Sequence, residues 1–152
     1  MSRCLGALAV AVLLAGCQAH EGTPPTGPGA DSTLVRGVLR RYYAAIGAGD
    51  YRKAYALWGQ QGEASRQSFD GFAAGFHKTA HTEVEFTGPV TLEGAAGSIF
   101  ATVPVRVRAT TTAGADQEFV GTYDLRRVND VPGATPEQLR WHLYGATLHA
   151  AR

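Results

Sequence analysis

The chain has 152 residues, 45% of them apolar, and a formal charge of +1. That length holds one domain with a single core. Setting residues 1–16 aside leaves 13 Lys and Arg against 13 Asp and Glu, which excludes the clustered basic face that nucleic acid requires; Arg40–Arg41 and Arg126–Arg127 read as solvated surface pairs.

Residues 1–16 carry one early cation, Arg3, an apolar run from Leu5 to Leu14, and two small residues ahead of Cys17. The run is too short to cross a bilayer and has the make-up of an export signal. Leu14-Ala15-Gly16-Cys17 resembles the lipobox of bacterial lipoproteins. The resemblance implies cleavage before Cys17, acylation of its thiol with palmitate-type chains, and a membrane anchor in the cell envelope. Gln18 stands where an Asp would mark inner-membrane retention, which implies the outer membrane, facing the periplasm. Ordinary signal cleavage after Cys17-Gln18-Ala19 is the competing reading and leaves Cys17 without a role. Cys4 falls within the signal, so the mature chain has no disulfide. Residues 17–32 contain no aliphatic or aromatic side chain larger than Ala, and read as the lipidated cysteine and a flexible tether. His20 is a bystander in it.

The folded part is expected over 33–152. Leu34, Val35, Val38, Leu39, Tyr42, Ala45 and Ile46 recur at helical spacing, with Asp31 or Ser32 as cap and Gly47 and Gly49 as stop. Asp50 then caps a second helix over 51–59 that offers Ala54, Tyr55 and Trp58. Ser68 caps a third near 69–79, striped by Phe69, Phe72, Ala73 and Phe76. From there the period drops to two. Val84 and Phe86 open a first strand. Ile99, Ala101, Val103, Val105 and Val107 alternate in a long second one against Arg106 and Arg108. Pro104 within it predicts an edge position or a bulge. Phe119, Gly121, Tyr123 and Leu125 mark a third strand; Leu139, Trp141 and Leu143 mark a fourth. Helices followed by antiparallel strands are an α+β order.

Arg41 to Asp50, the following AYALW, the SFDGFAAGF helix and the RWHLYGATL strand resemble the NTF2-like, cystatin-like superfamily, over Leu34 to His149. The resemblance implies a cone: N-terminal helices packed on a curved antiparallel sheet around a pocket. In its ketosteroid isomerase branch a helix-1 Tyr and a strand Asp donate to an oxyanion, positions that Tyr42 and Asp124 match. The base has no counterpart: Arg66 stands where an Asp is wanted, and Glu63 fits only by a shift. Strand parity also puts Asp124 with Thr122 and Arg126, away from Phe119, Tyr123 and Leu125. The expectation is therefore a binding domain, not a catalyst, with a mouth lined by Tyr42, Trp58, Phe76, Tyr123 and Trp141. Such a lining suits a small amphipathic or hydrophobic ligand. One alternative is an isomerase- or dehydratase-type enzyme using Tyr42 and Asp124. Another is a homodimer or an envelope accessory or inhibitor that binds a protein partner.

No cofactor or metal is expected. His77 and His81 have the HxxxH spacing that puts two imidazoles on one helical face, but a helix must run through both. The strand pattern after Thr79 ends it between them. His142 alternates with Trp141 and Leu143 and should point outward. Ser65 and Ser68 have no nearby His–acid arrangement, and Gly94, Gly97 and Gly114 form no phosphate-cradling motif.

Overall fold

A computed structural model describes residues 28–151; Cys17, its lipobox and most of the tether lie outside the described residues. Helix α1 (Pro28–Gly47) starts earlier than the apolar period predicts. Proline is suited to a first helical turn, where its missing N–H is not needed. Asp31 is thereby placed inside the first turn and caps nothing. Its carboxylate accepts hydrogen bonds from the Trp141 indole N–H at 3.1 Å and from Arg127 Nη2 at 3.4 Å. This latch joins the start of α1 to the far end of the sheet. Trp141→Phe keeps most of the packing and loses the N–H. It is expected to cost about 1–2 kcal/mol, the usual worth of a hydrogen bond to a charged group, read as a lower denaturant midpoint with unchanged slope.

Helix α2 (Tyr51–Ala56) is capped as predicted: Asp50 accepts from the Lys53 amide at 3.0 Å. It does not reach residue 59. Trp58 instead bridges to Leu143 in parallel, with Gly59 N–H donating to the Leu143 carbonyl and Leu143 N–H to the Leu57 carbonyl. An open sheet edge offers the backbone more partners than a frayed last turn does. A 3₁₀ turn (Gln60–Ser65) follows. Helix α3 (Phe69–Phe76) is capped by Ser68 and stops before His77.

The strands are β1 (Thr79–Phe86), β2 (Thr91–Ala95), β3 (Ser98–Thr111), β4 (Asp116–Val128) and β5 (His142–Ala150). They form one antiparallel sheet in the order β1-β3-β4-β5, with β2 beside β3 beyond the end of β1. The strand β2 has no counterpart in the sequence reading: only Leu92 in it is even half-buried. The last strand begins at His142, so Leu139 and Trp141 precede it. Pro104 lies in a central strand, not at a sheet edge. It faces the gap between β1, which ends opposite Val105, and β2, which begins opposite Thr102. Its carbonyl accepts from Thr87 N–H on that side, so the missing proline donor also points into the gap.

Val35, Val38, Leu39, Tyr42 and Ile46 of α1 are buried together with Val103, Val105, Tyr123, Leu125 and Leu143 of the sheet. The period-2 and period-3.6 stripes thus meet in one core, and the expected α+β architecture holds. At Gly121 (φ 157°) β4 comes so close to β5 that a side chain there would meet the Thr147 carbonyl oxygen. Among the described residues no helix is long and apolar enough to cross a membrane.

Candidate functional site: the aromatic recess of the cone

Between α1, α3 and the β4–β5 face lies a recess of about 490 Å³. Its floor is aromatic because α1 presents Tyr42, α3 presents Phe72 and Phe76, and β4 presents Tyr123 to the same space. Trp58 joins them once the chain leaves α2. Tyr42 lies at the centre, its ring 6.1 Å from Trp58, 6.1 Å from Tyr123 and 6.3 Å from Phe72. Phe76 packs on Phe72 at 5.1 Å. The rim is polar: Ser65, Arg66 and Gln67 on one side, Gly145 to Thr147 on the other. Arg66 is exposed, adopts a left-handed backbone (φ 59°), and meets no carboxylate among the described residues.

The polar atoms of the floor are few and constrained. The Tyr43 and Tyr123 hydroxyls share a hydrogen bond of 2.7 Å. Burial pushes the Tyr42, Tyr43 and Tyr123 hydroxyls well above the ordinary tyrosine range, and the proximity of the other tyrosines adds to it. All three are neutral donors at neutral pH. The Trp58 indole N–H is buried and has no acceptor in hydrogen-bonding geometry. It lies close enough to the Tyr42 hydroxyl to favour that group's ionised form. A buried donor without an acceptor costs about 1–3 kcal/mol.

Four of the five aromatics expected at the mouth, Tyr42, Trp58, Phe76 and Tyr123, border this recess. Trp141 does not. Its ring lies under the Arg127 guanidinium at 5.3 Å, and its N–H is spent on Asp31. Asp124 accepts from the Thr102 hydroxyl at 2.7 Å and belongs to the sheet face opposite Tyr123. Tyr42 and Asp124 are therefore not assembled as a pair. His77 follows the end of α3 and His81 is on β1, so they share no helical face. Among the described residues no three His, Cys, Asp or Glu side chains converge. Tyr43 is the floor residue that the sequence reading passes over. Its signal was there, since Tyr43 follows Leu39 by four and precedes Ile46 by three.

No sequence family and no curated protein matches the chain. Solved structures do. A proposed dehydratase from the NTF2-like family of Streptomyces avermitilis is 16% identical, with a TM-score of 0.55 over 83% of this chain and 99% of that one. A proposed aromatic ring hydroxylase from Novosphingobium aromaticivorans is 12% identical, with a TM-score of 0.57 over 83% and 96%. An NTF2-like superfamily protein from Salmonella enterica serovar Typhimurium is 13% identical, with a TM-score of 0.52 over 80% and 94%. At these identities the likeness establishes the fold: helices on a curved antiparallel sheet of the NTF2-like type.

Proposed function

We propose that the chain is a lipid-anchored envelope protein whose NTF2-like domain binds a small amphipathic ligand in the cone recess. Its anchor is Cys17, on the outer membrane facing the periplasm. The observation that carries the ligand reading is the unpaired Trp58 N–H in an otherwise aromatic floor. A ligand with an apolar body and one acceptor oxygen pairs that donor and covers the rings. Arg66 at the rim favours a ligand whose outer end is polar or negative. The same floor gives a second reading, an isomerase- or dehydratase-type enzyme in which the neutral Tyr42 hydroxyl polarises a carbonyl. Such an enzyme would need a partner other than Asp124, which is turned to Thr102.

Mass spectrometry of the full chain purified from membranes, native and then denatured, tests both halves. Acyl mass that survives denaturation is the expected sign of the anchor, and smaller mass that leaves on denaturation is the ligand. Trp58→Phe is expected to weaken that ligand about tenfold. A native mass equal to the denatured one removes the ligand reading and favours a protein partner.

A further inference from the structure

A second recess, of about 740 Å³, lies outside the cone, where segment 57–59 meets the start of β5. Trp58, Ala64 and Tyr144 border both recesses and separate them. We infer that this outer groove is a separate binding site for an organic anion with a flat apolar body.

The inference starts from Arg126. Its Nε and Nη2 both donate to one neutral oxygen, Ser98 Oγ, at 3.1 and 2.8 Å. Ser98 is itself buried, at 3% exposure. The Phe100 and Tyr144 rings lie on the guanidinium at 5.9 Å each. Arg126 is half-buried and ion-pairs with no carboxylate among the described residues. A partly desolvated cation without a counter-ion is costly, and a guanidinium whose Nη1 is unspent can take a carboxylate side-on. The two rings and the serine hold it in one orientation beforehand.

Across the groove stands Arg52, 4.7 Å above the Phe69 ring and likewise without an acidic partner among the described residues. The other charges of the groove are already matched. Arg127 pairs with Asp31, and Glu137 is held by Arg140 at 3.2 Å and by His142 at 2.7 Å. Two uncompensated cations therefore line a space whose remaining walls include Tyr55, Phe69 and Leu143.

The lip of the groove is strained. Gln60 and Gln61 have left-handed backbones (φ 55° and 58°) and lead into Gly62 at φ 103°. Successive non-glycine residues in that region are unfavourable, and such strain concentrates at binding sites. Here it brings two side-chain amides to the edge of a cationic groove. A β-carbon at Gly62 would run into the Tyr55 ring, so the turn and the aromatic wall are fixed against each other.

The test uses 2-naphthoate as probe and 2-naphthylmethanol as its uncharged counterpart. Both are titrated calorimetrically against the full chain in zwitterionic nanodiscs, with empty nanodiscs subtracted. Naphthoate is expected to bind saturably, at least about tenfold more tightly than the alcohol. Arg126→Gln should weaken it about tenfold and Arg126→Lys less, because Lys keeps the charge and loses the fork. Arg52→Gln is on an exposed helix face, leaves Ser98 untouched, and should weaken binding about threefold. It serves where Arg126→Gln fails to fold. Equal affinity for acid and alcohol, no binding at millimolar probe, or affinity unchanged by the Arg52 and Arg126 substitutions would each overturn the inference. It stands apart from the cone, whose ligand these arginines do not touch.

Discussion

Gly121→Ala is expected to destabilise the domain by roughly 3–4 kcal/mol and to lower its thermal midpoint by about 10–15 °C. Gly121 stands opposite Leu148, and the added carbon would meet the Thr147 carbonyl oxygen, with the Leu148 Cα at 3.1 Å. Both obstacles are backbone. Relief therefore requires β4 and β5 to separate, which breaks ladder hydrogen bonds around the clash. Gly62→Ala is the control. Its carbon meets the Tyr55 ring, a half-buried side chain with rotamers to spare, so it should cost less despite the positive φ. Thermal and denaturant unfolding of both variants decides the matter: equal losses would refute the backbone account.

The second large effect is alkaline unfolding. Tyr42, Tyr43 and Tyr123 all have hydroxyls raised above the ordinary range by burial. In the unfolded chain they ionise near pH 10. Below that, both states hold these protons and the three make no slope. Above it, the unfolded chain releases protons that the folded one retains, so stability falls as pH rises. With three such groups the fall approaches about 4 kcal/mol per pH unit. Tyr43→Phe and Tyr123→Phe should each reduce that slope by about a third. Each also breaks the 2.7 Å hydroxyl pair, at a cost of about 1 kcal/mol already at pH 7. Denaturant midpoints between pH 8 and pH 11.5 measure both, and parallel pH profiles for parent and variants would disprove the burial argument.

The parts of this fold that are legible in the sequence are those where one face is buried and the other wet. Val35, Val38, Leu39, Tyr42 and Ile46 show α1 by spacing, and Val103, Val105 and Val107 show β3 by alternation. What could not be seen is set by distant partners. Asp31 looks like a cap until Trp141 and Arg127 reach it from the other end of the chain. Trp58 looks helical until the β5 edge takes its neighbours' backbone. Pro104 looks like an edge residue because a gap between two short strands is invisible from one strand. Of the aromatics, Trp141 alternates correctly with Leu143, yet it lies one residue ahead of the strand, and its indole is held elsewhere. Arg126 reads as half of a surface pair. Only the placement of Ser98, Phe100 and Tyr144 around it turns that charge into a feature.

The latch at Asp31 has a mechanical consequence. It ties the first turn of α1 to residues 96 and 110 positions downstream. A pull on the chain ahead of Pro28 enters the domain at that turn and is passed through Arg127 to β4 and through Trp141 to the approach of β5. The helix cannot peel away turn by turn until both contacts yield. The domain is clamped at the end where it is loaded, and the clamp sets the force at which α1 lets go.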